Sequence, residues 1–455
     1  MVVAEDGKTQ PFEQPIKKLE RIAKELAVHQ AEHAATTDQA TEDRIKKLED
    51  EVKKLEEHEA QEHKLKETRI QEQNKDSVVR KSGSGGLVYA RPGYSNPRAV
   101  LGGYIGSEFE GLKGPTNVRR NRNNSFDVPR FVALLYSDIT DSTRVAVEFE
   151  VEHGIGHAEL EFAVIDHSFT EWLNFRTGVV LLPVGSFNLL HDDPLNDLTQ
   201  RPEVNIRVIP GVLREPGAGF FGTVYPTKLS KLDYEVYVTQ GMNGFKLDGT
   251  PTITNQSGLA GARWQTTDIG SNLDNNNSQA LVGRVAYSPY LGLDLGVSGY
   301  HSKIDPDDER TLNIAALDWS MQRGPFEFLG EAAWSWMEDN DKDLDGLFVG
   351  NPERMFGYYA QINYHFMPDF IQEMAPSYFT DDSMFTGVFR VDDVNTNLDM
   401  VGHEGDTFRL TPGINYRPTE DTVFKFEYQF NFEPNRIGDR QVENNGILLS
   451  VASYF

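Results

Sequence analysis

Cysteine is absent from the chain, which excludes a disulfide-stapled scaffold, a thiolate metal site and a Cys-x-x-Cys-His haem attachment. Long hydrophobic runs are absent too. No stretch approaches the ~20 consecutive apolar residues that a bilayer-crossing helix needs. That excludes a helical membrane protein but not a barrel, whose strands show apolar residues only at every second position. Met1-Val2-Val3-Ala4-Glu5-Asp6 has neither the basic start nor the apolar stretch of a secretory signal, so a mature chain with an added or residual Met is expected. Basic residues are few: 44 Lys and Arg stand against 70 Asp and Glu, a formal charge of −26. Nucleic acid, whose phosphates need a basic surface, is therefore excluded as a partner. His-Glu-x-x-His, a phosphate-cradling Gly loop and a nucleophile elbow are all missing, so no enzyme is expected.

What is present falls into two unlike parts. Residues 1–15 are polar with two prolines and read as a flexible tail. Residues 16–80 are rich in Glu, Lys, Gln and Ala, and Ile16, Leu19, Ala23 and Leu26 follow 3-4-3 spacing, as do Ile45, Leu48, Val52 and Leu55. This is the seam of an α-helical coiled coil. The seam turns polar between the blocks (Gln30, His33, Thr37) and the second block shifts phase, which marks a skip. A single amphipathic helix lying on a barrel is the alternative; the narrow apolar stripe favours self-association. Residues 81–97 open with Lys81-Ser82-Gly83-Ser84-Gly85-Gly86, a linker composition.

From 98 to 455 the chain alternates apolar and polar residues between turn clusters. About sixteen strands are expected, beginning with Arg98–Phe109, Phe126–Asp138, Thr143–Glu152, Ile155–Asp166 and Trp172–Leu182, and ending with Thr422–Asn431 and Gly446–Phe455. Every second connection is short and turn-like, such as Thr140-Asp141-Ser142 and Ser288-Pro289-Tyr290, whereas those between run longer, notably 183–216, 241–278, 337–355 and 432–445. Two gaps break the rule: His153-Gly154 is short on the long side and 367–383 is long on the short side. A β-sandwich has no reason to keep loop length in step with strand parity. An outer-membrane barrel does, with short periplasmic turns and long outer loops. The chain's last residue, Phe455, then closes the final strand, and an even strand count brings both chain ends to the periplasmic face.

Strand faces separate in the same way. Val145, Val147, Phe149 and Val151 oppose Glu148, Glu150 and Glu152. Ala158, Leu160, Phe162 and Val164 oppose His157, Glu159 and Glu161, and Phe424, Phe426, Tyr428 and Phe430 oppose Lys425, Glu427 and Gln429. Aromatics near strand ends (Trp336, Tyr364, Phe366, Tyr416, Phe430, Phe455) suit interfacial girdles. A barrel of about sixteen strands is too wide for side chains to fill, so an aqueous lumen is expected. The insertion at about 183–216 is its natural constriction loop. Positions 1–80 hold 15 basic and 19 acidic residues, leaving 29 and 51 for the rest, a net −22. The expected constriction sets Glu148, Glu150, Glu159 and Glu161 against Arg201, Arg207 and Arg214 of the loop, with Arg176 also in the lumen. Arg130, Arg284, Arg390, Arg409 and Lys425 are further lumen positions. Opposed rows of charge in a narrow throat sort ions and orient dipolar solutes; mutual neutralisation on a solvated wall is the plainer alternative.

One further cluster stands out. Asp341, Asp343 and Asp345 with Gly346 match the first half of a calcium loop, although Pro352 holds the twelfth position and Glu353 comes one residue late. A low-affinity Ca²⁺ site in an outer loop and a solvated acidic loop are the two readings. No other cofactor is expected.

Leu182-Pro183-Val184-Gly185-Ser186-Phe187-Asn188, followed by His191, Arg201-Pro202-Glu203-Val204, Ile209-Pro210, Glu215-Pro216-Gly217-Ala218-Gly219-Phe220 and Gly222, resembles the phosphate-selective porin O/P family. The resemblance covers most of the barrel in layout and is specific across about 180–225. It implies a sixteen-stranded trimeric porin, and a coiled coil ahead of the barrel fits some relatives. Those porins line the constriction with many Lys and Arg, whereas this loop has three Arg against several acids, so only architecture and passive diffusion carry over. The expected protein is thus an all-β transmembrane barrel with an N-terminal α-helical coiled coil. It is a homotrimer in the bacterial outer membrane, among lipid and lipopolysaccharide, with the coil in the periplasm in reach of peptidoglycan. Alternatives are an outer-membrane anchor tethered by the coil, and a barrel sheath for an electron-transfer partner.

Overall fold

The computed structural model describes residues 99–112, 124–154, 156–245, 252–254, 257–263, 276–338, 352–399, 406–432 and 444–455. The expected tail, coiled coil and linker, and the candidate calcium ligands Asp341, Asp343 and Asp345, lie outside them.

The described residues form one closed antiparallel barrel of sixteen strands. β1 (Ala99–Leu112) pairs on one side with β2, which runs in two pieces, Ser125–Asp127 and Arg130–Asp138. The break falls at Pro129, which has no N–H for the ladder. β3 (Thr143–Glu152), β4 (His157–Thr170), β5 (Leu173–Leu181), β6 (Arg214–Val224), β7 (Lys231–Thr239) and β8 (Ala280–Tyr290) follow. β9 (Leu293–Lys303), β10 (Thr311–Arg323), β11 (Phe326–Met337), β12 (Arg354–Phe366), β13 (Met384–Asn395), β14 (Asp406–Thr419), β15 (Thr422–Phe432) and β16 (Gly446–Tyr454) complete the wall. β16 returns to β1 from Tyr104↔Tyr454 to Leu112↔Gly446, so no edge is left open. Phe455 seals this seam: its N–H donates to the Gly103 carbonyl at 3.0 Å and its ring stacks on Phe131.

All sixteen expected strands are present, within a few residues of the expected bounds. The parity of the connections holds as well, with both exceptions: 153–156 is short on the long-loop side, and 367–383 on the short-turn side carries a helix, α2 (Asp369–Met374). The outward faces are apolar, as a wall in hydrocarbon requires. Aromatic rings line both rims. Phe326–Tyr364, Phe366–Phe385 and Phe385–Tyr416 contacts lie on the short-turn side, and Trp334–Phe356, Phe408–Phe432 and Phe109–Phe126 contacts on the long-loop side.

One strand departs from the expected alternation. Ala158 and Leu160 of β4 face outward, but Phe162 and Val164 are buried inside the barrel. The β3–β4 register slips between Glu148 and Phe149, so that Phe149 faces Leu160 while Glu148 faces Phe162. This bulge inserts Glu161 as an extra residue, turns Glu161 and Phe162 both inward, and inverts the phase beyond them. Ala163 and Ile165 then take the outward face.

Candidate functional site

The barrel interior is not empty. The segment 182–213 leaves the end of β5, turns into the lumen, forms a helix of one turn, α1 (Val204–Arg207), and returns to β6. Its neck is closed by Asn188, whose amide donates to the carbonyls of Leu182 (2.8 Å) and Leu213 (2.9 Å) and accepts from the Leu213 N–H (2.8 Å). Gly185, three residues earlier, adopts φ +72°, and a Cβ there would lie 2.2 Å from the Glu331 carboxylate. The left-handed backbone favours glycine here, and a Cβ would also push the Glu331 carboxylate from its place.

Irregular backbone inside a barrel needs partners for its N–H and C=O groups, and side chains of ten strands meet the segment. Wall carboxylates and hydroxyls accept its N–H groups: Ser298 from Gly185 (2.9 Å), Glu331 from Phe187 (3.1 Å), Glu427 from Thr199 (2.6 Å) and Asp392 from Glu203 (3.0 Å). Wall cations and amides donate to its carbonyls. Lys425 reaches Asp193 (2.7 Å) and Leu198 (3.2 Å), Arg417 reaches Pro194 (2.7 Å), Asn415 reaches Asp197 (3.1 Å) and Arg390 reaches Gln200 (2.9 Å). Side-chain pairs from β1, β2, β4, β12 and β16 complete the set, through Glu110–Gln200, Arg130–Asp193, Glu161–His191, Asn363–Asp197 and Tyr454–Asp192. A second segment turns inward after β7: Met242, Ile253, Leu259 and Ala262 join Val204, Val208 and Ile209 in one apolar cluster against the wall. Arg263 donates to the Gly211 carbonyl at 2.7 Å and links the two segments.

The expected site residues divide into separate groups. Glu148, Glu150 and Glu161 come together on the inner face of β3 and β4, buried, with Tyr104 and Asp192 close by. Glu150 pairs with Arg130 at 2.8 Å, and Glu161 with His191 at 3.0 Å. Both ring nitrogens of His191 meet oxygens, Nδ1 facing the Asn188 carbonyl at 2.9 Å. Glu159 is held by Arg214 at 2.5 Å, at the base of the inward segment. Arg201 lies near Arg130, Glu150, Glu161 and Asp193; burial lowers its pKa, and Arg130 adds to the effect. Burial pushes the Asp192 carboxyl up, against His191 and the Tyr454 hydroxyl, which hold it down.

The other two arginines stand elsewhere. Arg207 turns to Glu203 (2.9 Å) and to Thr407 of β14 (2.7 Å). Arg176 forms a bidentate pair with Asp166 (2.7 and 2.8 Å) and lies 3.8 Å from Glu235, with its guanidinium 4.3 Å from the Phe221 ring centre. The expected row of loop arginines facing acids thus reduces to Arg201 and Arg214. The six expected lumen cations behave alike: Arg130, Arg176, Arg284, Arg390, Arg409 and Lys425 all point inward onto oxygen partners.

The roles of Glu331, Asp392 and Glu427 as acceptors for loop N–H groups were not among the expected site features. Their inward strand positions were readable; the loop path that makes them anchors was not. Tyr300, whose hydroxyl donates to Glu215 (2.8 Å) and accepts from the Met242 N–H (2.9 Å), is a further unanticipated interior anchor.

No family model matches the chain. An uncharacterized protein of Aquifex aeolicus strain VF5 is 24% identical over 358 residues, covering 72% of this chain and 74% of its own. Among solved structures, the anion-selective porin from Comamonas acidovorans aligns with a TM-score of 0.51 at 10% identity, over 78% of this chain and 99% of that one. OmpF of Salmonella typhi, in complex with daunomycin, aligns with a TM-score of 0.51 at 10% identity, over 78% and 97%. These structural neighbours are outer-membrane porins, and the fold is theirs: a sixteen-stranded closed barrel.

Proposed function

We propose that the protein is an outer-membrane porin through which small hydrophilic solutes or ions diffuse passively, with residues 182–213 as its constriction. The observation that carries this reading is the anchoring of that segment across the interior by side chains of ten strands. A barrel serving only as a membrane anchor has no need to hold a loop in its lumen. A channel does, because the loop sets the cross-section. The interior charges are engaged in holding this segment and each other, which suits a passive conduit better than a catalyst. In this reading the barrel works as a homotrimer in the bacterial outer membrane, among lipid and lipopolysaccharide. Residues 16–80 form its periplasmic coiled coil, in reach of peptidoglycan. The chain's departure from a Lys- and Arg-rich throat argues against phosphate as the preferred solute.

The acidic patch at Glu148, Glu150 and Glu161 biases ions entering this constriction. With Asp192 and Asp193 beside it, the patch sets five carboxylates against Arg130, Arg201 and His191, and this excess predicts a preference for cations. The zero-current potential across a planar bilayer under a potassium chloride gradient tests this. A cation-selective sign that diminishes in Glu148→Gln and Glu150→Gln is expected; a potential near zero, unmoved by either substitution, defeats the selectivity reading.

A further inference from the structure

The connection 367–383 breaks the rule that turns on its side are short, and its helix α2 has no buried residue. Phe370 and Met374 lie one turn apart on a shared face, 66% and 74% exposed, and Tyr378 beyond them is 76% exposed. Such a patch on a soluble rim would be an unpaired hydrophobic surface. It is not isolated. Phe379, next in the chain, packs on Phe385 at 6.0 Å and Tyr416 at 5.4 Å, rings of the outward aromatic girdle. The Tyr416 hydroxyl donates to the Tyr378 carbonyl at 2.8 Å, which fixes the segment to that girdle. Elsewhere on the same rim Ile139, Trp172, Leu229 and Leu291 are also exposed, the last at 99%.

We infer that α2 is a lipid-binding lip, which lays Phe370, Met374 and Tyr378 into the interfacial zone of the leaflet at the short-turn rim. This rests on the reading of the barrel as membrane-spanning. Two features favour lipid over a protein partner. The patch is continuous with the lipid-facing girdle, and exposed apolar residues recur on turns around the rim, whereas a protein partner would need them at one place. The segment carries Asp369, Glu373, Asp381 and Asp382 and no Lys or Arg, so its insertion is driven by apolar burial rather than by attraction to anionic headgroups. The preferred surface is therefore zwitterionic.

The absence of native cysteine makes the test direct. Phe370→Cys and Met374→Cys are labelled with a nitroxide in the full-length protein, reconstituted into phosphatidylcholine–phosphatidylethanolamine vesicles. Collision with oxygen, which concentrates in lipid, is compared with collision with a water-soluble nickel chelate. Phe426→Cys on the outer face of β15 serves as the lipid reference and Glu420→Cys on the neighbouring turn as the aqueous one. The lip predicts oxygen-dominated collision at 370 and 374, as at 426, with no gain when anionic lipid is added. Nickel accessibility equal to that at 420 overturns it. So does shielding from both reagents, which would mean a protein cover. If position 426 itself meets nickel rather than oxygen, the membrane reading of the barrel fails, a result distinct from failure of the lip alone.

Discussion

Glu331 joins both limbs of the inward segment. Its carboxylate, buried on the inner face of β11, accepts the Phe187 N–H at 3.1 Å on the outgoing limb and the Asn205 amide at 2.5 Å on the returning one. Glu331→Ala removes both acceptors at once. Each buried donor left without its acceptor costs about 1–3 kcal/mol, so their joint loss costs about 2–6 kcal/mol where the freed donors stay dry. Water entering the space left by the side chain lowers the figure toward the bottom of that range. The other anchors, on Ser298, Asp392, Lys425 and Glu427, remain, so the barrel should still assemble and the effect should appear as local opening of 182–213. A loss of about 3 kcal/mol raises the opened fraction roughly a hundredfold. The assay is protease cleavage within 182–213 of the folded protein, together with current noise in the open channel. Both should rise in Glu331→Ala and rise less in Glu331→Gln, whose single carbonyl oxygen still serves one donor. Cleavage and noise equal to those of the parent would refute the account of how this segment is held.

Two further outcomes concern the wall. Arg176→Met leaves Asp166 and Glu235 buried without their cation and should cost about 3–5 kcal/mol in urea unfolding, whereas Arg354→Ala, which breaks a solvent-screened pair with Asp399, should leave the unfolding midpoint essentially unchanged; equal effects would overturn the distinction. Gly219→Ala should destabilise by about 1–3 kcal/mol, because β6 and β7 pair with Gly219 opposite Tyr237 and a Cβ would lie 2.0 Å from the Val236 carbonyl oxygen; an unchanged unfolding midpoint would contradict this close approach.

Much of the wall was legible because the barrel repeats one local rule. Period-two alternation gave the strands, and turn chemistry gave their parity, down to the two irregular connections. Inward charge was legible residue by residue, since Arg130, Arg284, Arg390 and Arg409 sit opposite apolar neighbours along their strands. Their partners were not, because a partner depends on how neighbouring strands are staggered and on the path of a loop through the lumen. Arg207 shows the difference: it lies in the expected loop, yet α1 turns it to Thr407, away from the acids of β3 and β4. The bulge at Glu161 leaves no mark in the sequence for a related reason. Leu160, Phe162 and Val164 keep their spacing in the sequence, and only the partner strand reveals the inserted residue. The inward placement of Met242, Ile253, Leu259 and Ala262 had no signal beyond a long loop.

The central claim is that this barrel encloses a water-filled path narrowed by residues 182–213. Single-channel recording of the purified full-length chain in a planar bilayer, beside the same chain lacking residues 1–80, tests it most directly. The account predicts discrete, ohmic conductance steps from both proteins, because the path belongs to the barrel. Correctly folded barrels that insert without producing steps, with or without residues 1–80, would contradict it.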